Sequence, residues 1–207
     1  DFLDKATFPL RSNDTFGYTT TASSVFDYVA RESNDTSNIW GMKYSLGTAG
    51  NITGMTVSLK AISTAGTASV DIALAVYRED SGGVGTHARV AIAETLNASI
   101  SKVTVTPVSA SFASESLSAD DYILGAIGNG EDLPDVGSTI GIYYDSGTSH
   151  TYYGSSTTGA GSYATRKAVN PWVVGGNSGS FLIGIYATYE VAAGGAVDIG
   201  TFNVYDE

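Results

Sequence analysis

Apolar and polar residues alternate along much of the chain with a period of two. This period places successive side chains on opposite faces of a β-strand. It predicts strands at residues 40–46, 53–59, 70–76, 90–92, 103–105, 122–127, 139–144 and 181–191. No stretch has the pattern of a coiled coil or of a long amphipathic helix.

Between the predicted strands lie short segments rich in Gly, Asn, Asp and Ser, at residues 48–51, 63–67, 80–85, 117–121, 128–135 and 145–149. These residue types supply the positive φ angles and the side-chain-to-backbone hydrogen bonds of tight turns. About eight to ten strands at this spacing predict an all-β, antiparallel jelly-roll β-sandwich with extended terminal arms. We expect an N-terminal arm at 1–12, the sandwich at 13–191 and a strand-like tail at 192–207.

The strand at 70–76, VDIALAV, has bulky residues on one face and the small Ala73 and Ala75 on the other. This asymmetry predicts a strand packed between a core and a close neighbour. His87, one of only two histidines, follows a Gly-rich bend. We interpret it as a solvated residue of that bend and not as a catalyst.

The charge and composition exclude several classes of function. The formal net charge is −11, with only ten Lys and Arg, so no positive field is expected to attract nucleic acid. There is no cysteine, which excludes disulfides and thiolate sites. No apolar run has the length of a membrane span, so membrane insertion is not expected. The chain begins DFLDKATFPL, and we expect a processed product.

Two segments, ALAVYREDSGGVG and SADDYILGAI, resemble the most recognisable elements of a family of jelly-roll β-sandwich modules. That family occurs in phage virion proteins and in multidomain extracellular proteins of bacteria and archaea. The resemblance extends over about 13–191. It departs from the family at Asp120 to Ile123, where Gly-Thr-Tyr-Trp is expected. It implies a jelly-roll fold and a location on a virion or cell surface, while a fold does not determine a function.

The string GNSGS at 176–180 is similar to the nucleophile loop of chymotrypsin-like serine proteases. Ser178 would need a histidine base and an orienting carboxylate. His87 and His150 both precede Ser178, as that family's order requires, but neither has the Ala-His context. The alternative is a turn before the strand at 181–191, and we expect the protein not to be an enzyme.

The acidic loop GNGEDLPDVG places Glu131, Asp132 and Asp135 among backbone carbonyls. Calcium accepts such hard oxygen ligands, although the EF-hand spacing is absent. A calcium site and a solvated loop both remain open, and no other cofactor is expected.

The stretch from Ile142 to Tyr163 is rich in Tyr on a Ser and Gly background. Rigid amphipathic rings among small polar residues are typical of recognition surfaces for sugars or proteins. The candidate ligand-binding residues are Tyr144, Tyr152, Tyr153, Tyr163 and Trp172. The alternative is that half of these tyrosines face the core, and that Trp172 fills it.

Both termini carry apolar residues that need a partner. Phe2 and Phe8 lie in the first arm, and Val197, Ile199, Phe202 and Val204 alternate in the tail. An unpaired amphipathic strand either folds back on its own sandwich or joins a neighbouring subunit.

From these observations we expect a non-enzymatic structural subunit of a virion surface or an extracellular assembly, such as a capsid decoration, fibre, tail-surface or filament protein. Its partners would be copies of itself, neighbouring subunits or surface glycans. The alternative is a carbohydrate-binding module.

Overall fold

The structure is a computed structural model that describes residues 13–32, 36–62, 66–79, 85–133, 137–154, 162–174 and 176–191. The predicted arms at 1–12 and 192–207 lie outside the described residues. So do the assembly residues predicted there, which are Phe2, Phe8, Val197, Ile199, Phe202 and Val204.

The described part of the chain is built almost entirely of strands. They are β1 (Asn13–Gly17), β2 (Ser24–Arg31), β3 (Thr36–Ser37), β4 (Ile39–Leu46), β5 (Gly50–Ile62), β6 (Ala68–Arg78), β7 (Thr86–His87), β8 (Arg89–Ile100), β9 (Thr106–Leu117), β10 (Asp120–Gly128), β11 (Thr139–Gly154), β12 (Trp172–Val173), β13 (Asn177–Ile183) and β14 (Ile185–Val191). A short α-helix, α1 (Tyr163–Lys167), and a 3₁₀ turn at Gly130–Asp132 complete the elements. No helix in the described ranges is long and apolar enough to cross a membrane.

Twelve strands form one antiparallel sheet, whose main path is β1-β14-β5-β11-β4-β10-β6-β8. β9 pairs with β5, β2 and β13 pair with β11, and β3 pairs with β2, while β7 and β12 form a separate ladder. The sheet curls over on itself, because the rings of Phe16 on β1 and Tyr122 on β10 lie only 6.2 Å apart. The predicted all-β antiparallel sandwich is confirmed, and its jelly-roll strand order stays a prediction.

The long strand β11 connects the parts of the curled sheet. Its first half pairs with β5 and β2, and its second half pairs with β13 and β4. The turn predicted at 145–149 is therefore wrong, since those residues continue β11. The Ser and Gly residues there form a bulge, where 147–149 lie opposite a single residue of β13.

Strand β6 is buried on both faces, as its residue pattern predicts. Ile72 and Leu74 belong to the main core, whereas Ala73, Ala75 and Tyr77 belong to a second cluster on the other face. Aromatic residues from the segment around α1 and β12 cover that second face. The alanines leave room for these rings.

Strand β5 departs from simple alternation at Thr53. Its pairing with β14 shifts between Ile52 and Gly54, so one extra residue is accommodated. Ile52 therefore occupies the core position that the sequence pattern assigned to Thr53, and Met55 keeps its predicted place.

Two further predictions are corrected by the structure. Residues 103–105 form a turn between β8 and β9, and Val103 is 82% exposed. The predicted strand at 181–191 divides at Gly184, whose N–H donates to Tyr143 O at 2.9 Å and whose carbonyl accepts from Ser58 N at 2.7 Å. An added Cβ at Gly184 would lie 2.8 Å from Ser58 Oγ, so the close crossing of these strands requires glycine.

Candidate functional site

Five aromatic side chains from four strands form a cluster near the bulge of β11. The aromatic cluster consists of Phe26, Trp40, Tyr144, Tyr152 and Phe181. The ring of Phe26 lies at its centre, 4.5 Å from Phe181, 5.0 Å from Trp40 and 5.4 Å from Tyr152 between centroids. Trp40 is buried, and the other four are partly buried, so their rings remain partly accessible.

Glycines make room for two of these rings. A Cβ at Gly154 would lie 2.0 Å from Trp40 Cζ3, and one at Gly179 would lie 2.1 Å from Phe181 Cε1. Each ring therefore lies directly over a glycine backbone. The Gly-rich composition of this region serves ring packing as well as turns.

The structure separates the five predicted ligand-binding residues into two groups. Tyr144 and Tyr152 belong to the aromatic cluster, on a strand and not in a loop. Tyr153, Tyr163 and Trp172 are buried in the second core cluster. For these three residues the structure agrees with the alternative that they face the core. Neighbouring residues of a strand point to opposite faces, so Tyr152 lies in the aromatic cluster and Tyr153 lies in the second core cluster.

The sequence analysis missed Phe26, Trp40 and Phe181 as members of the aromatic cluster. Phe26 and Phe181 each have one polar and one apolar neighbour in their own strands, and nothing local links them to Tyr152. The pairing of β2, β4 and β13 with β11 brings them together.

His87 is not a solvated bend residue, so that prediction is wrong. Its side chain is 2% exposed, and its Nε2 lies 3.1 Å from Val174 O. Its ring packs edge-on against Tyr153 at 4.9 Å. The ladder of β7 with β12 buries the histidine, because it places Trp172 opposite His87.

Ser178 lies in β13, so the turn predicted at 176–180 is wrong from Asn177 onwards. Ser178 is paired with Thr151, and His150 with Gly179. Directly opposed residues share a face and neighbours alternate, so Ser178 and His150 point to opposite faces. The geometry does not assemble a serine nucleophile with this histidine base.

Near Tyr153, one lysine lies between two carboxylates. Lys43 Nζ lies 2.9 Å from Asp121 Oδ2 and 3.5 Å from Glu79 Oε2. The Tyr153 hydroxyl donates to Glu79 Oε1 at 3.0 Å. The Lys43 hydrogen bond lowers the pKa of Asp121, and burial followed by the Glu79 contact raises the pKa of Tyr153. These contacts form an ion-pair network between Lys43 on β4, Asp121 on β10 and Glu79, which directly follows β6.

In the predicted calcium loop, Glu131 and Asp132 are exposed and lie in the 3₁₀ turn. Asp132 Oδ2 accepts a hydrogen bond from Asp71 N at 2.9 Å, and Asp135 lies outside the described residues. Within the described ranges, no three His, Cys, Asp or Glu side chains come together to hold a metal. The calcium site stays a prediction.

The outer edge of β13 borders the aromatic cluster through Phe181. Among the described strands, β13 pairs only with β11, so its other edge has no ladder partner there. Its sequence, NSGSFLI, contains no charge and no proline. The bulge in the ladder lies on β11, so β13 itself is regular over its seven residues.

The other edge strands have the features that prevent strand addition. In the described chain, β9 pairs only with β5, and it carries Pro107, Glu115 and a bulge at 112–114. β8 carries charged residues and bulged positions. β1 has only five residues. β3, β7 and β12 also have one ladder partner each and have only two residues. β13 differs from all six.

A groove of about 320 Å³ lies between β8 and β9. Its walls include Arg89, Ile92, Phe112 and Glu115. None of the predicted ligand-binding residues lines it.

Comparison with known proteins identifies no relative: no protein-family model matches the chain, and no curated protein matches it either.

Proposed function

We propose that the protein is a non-enzymatic structural subunit of an extracellular or virion-surface assembly, and that it docks on its neighbours through a sheet edge. The observation that carries this proposal is the edge of β13, which is regular, uncharged and bordered by partly accessible aromatic rings. An unpaired strand edge of this kind is a template for pairing with another chain.

The charge distribution supports docking at this edge. The whole chain has a formal net charge of −11, which keeps copies apart in solution by mutual repulsion. β13 carries none of that charge, so contact there brings no like charges of its own together. Aromatic rings such as Phe181 and Tyr152 are the residue types enriched at protein interfaces.

The terminal segments add a second proposed set of contacts. β1 begins with Asn13 opposite Glu190, close to the end of β14 at Val191. Residues 1–12 and 192–207 therefore connect to one end of the sandwich. The apolar residues of these segments would contact a neighbouring subunit from that end. The resemblance to surface modules supports the proposed location.

Light scattering on size-separated protein tests the docking edge. The full chain is expected to form larger species as its concentration rises. Ser180→Lys places a charge on the exposed face of β13 and is expected to shift the protein towards monomers. Ser114→Lys makes the same change on exposed β9 and should leave assembly unaltered. A full chain that stays monomeric at every concentration would overturn the proposal.

Comparison of the full chain with a chain that ends at Val191 tests the tail. If the tail contributes contacts, the shorter chain assembles only at higher concentration. Equal assembly of both chains would assign docking to the sandwich alone.

A second candidate function is carbohydrate binding, and the aromatic cluster favours it. Sugars stack on aromatic rings, and Tyr144, Tyr152 and Phe181 are partly accessible. Retention on a panel of insoluble polysaccharides is the test. Tyr152→Ala should abolish retention, whereas Tyr186→Ala, a partly buried tyrosine of β14 outside the cluster, should preserve it. No retention by the unchanged chain would remove this candidate.

A further inference from the structure

The edge strand β13 carries no charge, and Gly179 and Phe181 flank Ser180 symmetrically. We propose that two copies of the chain pair β13 with β13, antiparallel, around a two-fold axis at Ser180. This inference rests on the proposed assembly function and names its docking partner as a second copy of this chain. Such an interface is isologous, and it closes as a dimer.

The register about Ser180 follows from the residues on the cluster face. An antiparallel pair centred on Ser180 places Phe181 of each copy opposite Gly179 of the other. Within one copy, the Phe181 ring already occupies the space above Gly179, 2.1 Å from where a Cβ would stand. Because Gly179 has no side chain, its position opposite Phe181 of the other copy adds no clash, and the two Phe181 rings would lie side by side, each above its own Gly179.

The two faces of the paired strands would have different partners. Gly179 and Phe181 share the face of the aromatic cluster, because they are two residues apart. Pairing would bring the two aromatic clusters side by side and remove the accessible part of Phe181 from water. On the other face, Ser178 of each copy would lie opposite Leu182 of its neighbour, and the two Ser180 side chains would meet.

Pairing with a second copy of the same strand is more favourable for β13 than for the edge strands β8 and β9. Like charges directly opposite one another destabilise an antiparallel pair. β13 has no charge, so pairing with itself incurs no such cost, whereas self-pairing of β8 or β9 would involve Glu94 or Glu115. Pro107 and the bulge at 112–114 further disfavour self-pairing of β9.

The absence of cysteine from the chain permits a direct test of the register. Directly opposed residues of an antiparallel pair have Cα atoms about 4.5–5.5 Å apart, within the range that a disulfide spans. Ser180→Cys should therefore form a covalent dimer across the axis. Ser178→Cys is the matched control, because in the same register its copies lie four positions apart along the strands, roughly 13–14 Å.

Both variants are exposed to mild oxidant at micromolar concentration, and the products are separated on a non-reducing gel. Circular dichroism checks that each variant keeps its fold. We expect the Ser180→Cys dimer to form at least about tenfold faster than the Ser178→Cys dimer. Equal rates would indicate random collision and would overturn the β13 pairing.

Light scattering of the unchanged chain separates the remaining outcomes. If it assembles but Ser180→Cys does not cross-link faster than Ser178→Cys, the β13 pairing is wrong and the proposed function stands. If it is monomeric at every concentration and neither variant cross-links, both are wrong. Assembly together with selective cross-linking at position 180 supports both.

Discussion

Shortening Leu74 to alanine tests the burial of the main-core face of β6 in the centre of the sandwich. The Leu74 side chain is 0% exposed, and β6 lies between β10 and β8, so neighbouring strands restrict collapse of the site. Removal of its buried carbons costs roughly 2 kcal/mol of transfer free energy, and the unfilled cavity adds to this. We expect Leu74→Ala to lower the free energy of unfolding by about 3–4 kcal/mol. For a chain of this size, that corresponds to a fall in Tm of roughly 6–16 °C.

Urea denaturation followed by tryptophan fluorescence measures this loss, because Trp40 and Trp172 are both buried and report on unfolding. Leu96→Ala is the matched control on the adjacent strand β8, where the side chain is 63% exposed. The control should change stability by no more than about 0.5 kcal/mol. A loss below about 1 kcal/mol for Leu74→Ala, or an equal loss in both variants, would refute the assignment of Leu74 to the core.

Three further predictions concern a charge, a glycine and a serine. The pKa of Asp121 is lowered in the fold, so its contribution to stability is present above the unfolded value near 4 and is lost as pH falls through the folded value. Asp121→Asn should therefore be less stable than the unchanged chain at pH 7 in urea titrations, and the difference should vanish as pH falls through the lowered pKa of Asp121 in the folded state. Gly154→Ala should cost about 1–3 kcal/mol and shift the Trp40 emission, whereas Gly47→Ala, which has nothing within 4 Å of the added Cβ, should alter neither. Ser178 should remain unlabelled by a fluorophosphonate probe in mass spectrometry, since its neighbouring histidine lies on the opposite face of the ladder, and covalent labelling would contradict this.

Strand positions were predictable wherever burial followed the two-residue period. The pattern at Leu74 and Ala75 is correct because hydrogen bonding in a ladder holds successive side chains on alternate faces. The same reasoning failed at Thr53, where a bulge shifts the period by one. It failed at Val103 because two alternating valines in a short segment do not distinguish a strand from an exposed turn.

Residue types that are typical of turns predicted the structure less reliably than the two-residue period did. The residues at 145–149 and 177–180 are of the kinds that form tight turns, yet they form strands that face each other in one ladder. Glycine there serves close packing, since the Phe181 ring occupies the space above Gly179. Residue type alone does not separate these two uses of glycine.

The candidate site was only partly visible in the sequence. Tyr144 and Tyr152 could be proposed from composition, because aromatic rings among small polar residues are typical of recognition surfaces. Their partners Phe26 and Phe181 are distant in sequence, and only the pairing of β2 and β13 with β11 brings them into contact. His87 appeared exposed from its position after a bend, and a two-residue ladder with β12 buries it.

The all-β class, the acidic character, the absence of thiol chemistry and the position of most core strands could all be predicted from the sequence. These properties depend on composition and on local periodicity. Three properties became clear only from the three-dimensional structure: which aromatic rings are buried, which meet in the aromatic cluster, and which of the described strands has an unprotected edge. Those outcomes depend on contacts between residues distant in sequence, such as the rings of Phe26 and Phe181, which are more than one hundred positions apart, and no local pattern encodes such contacts.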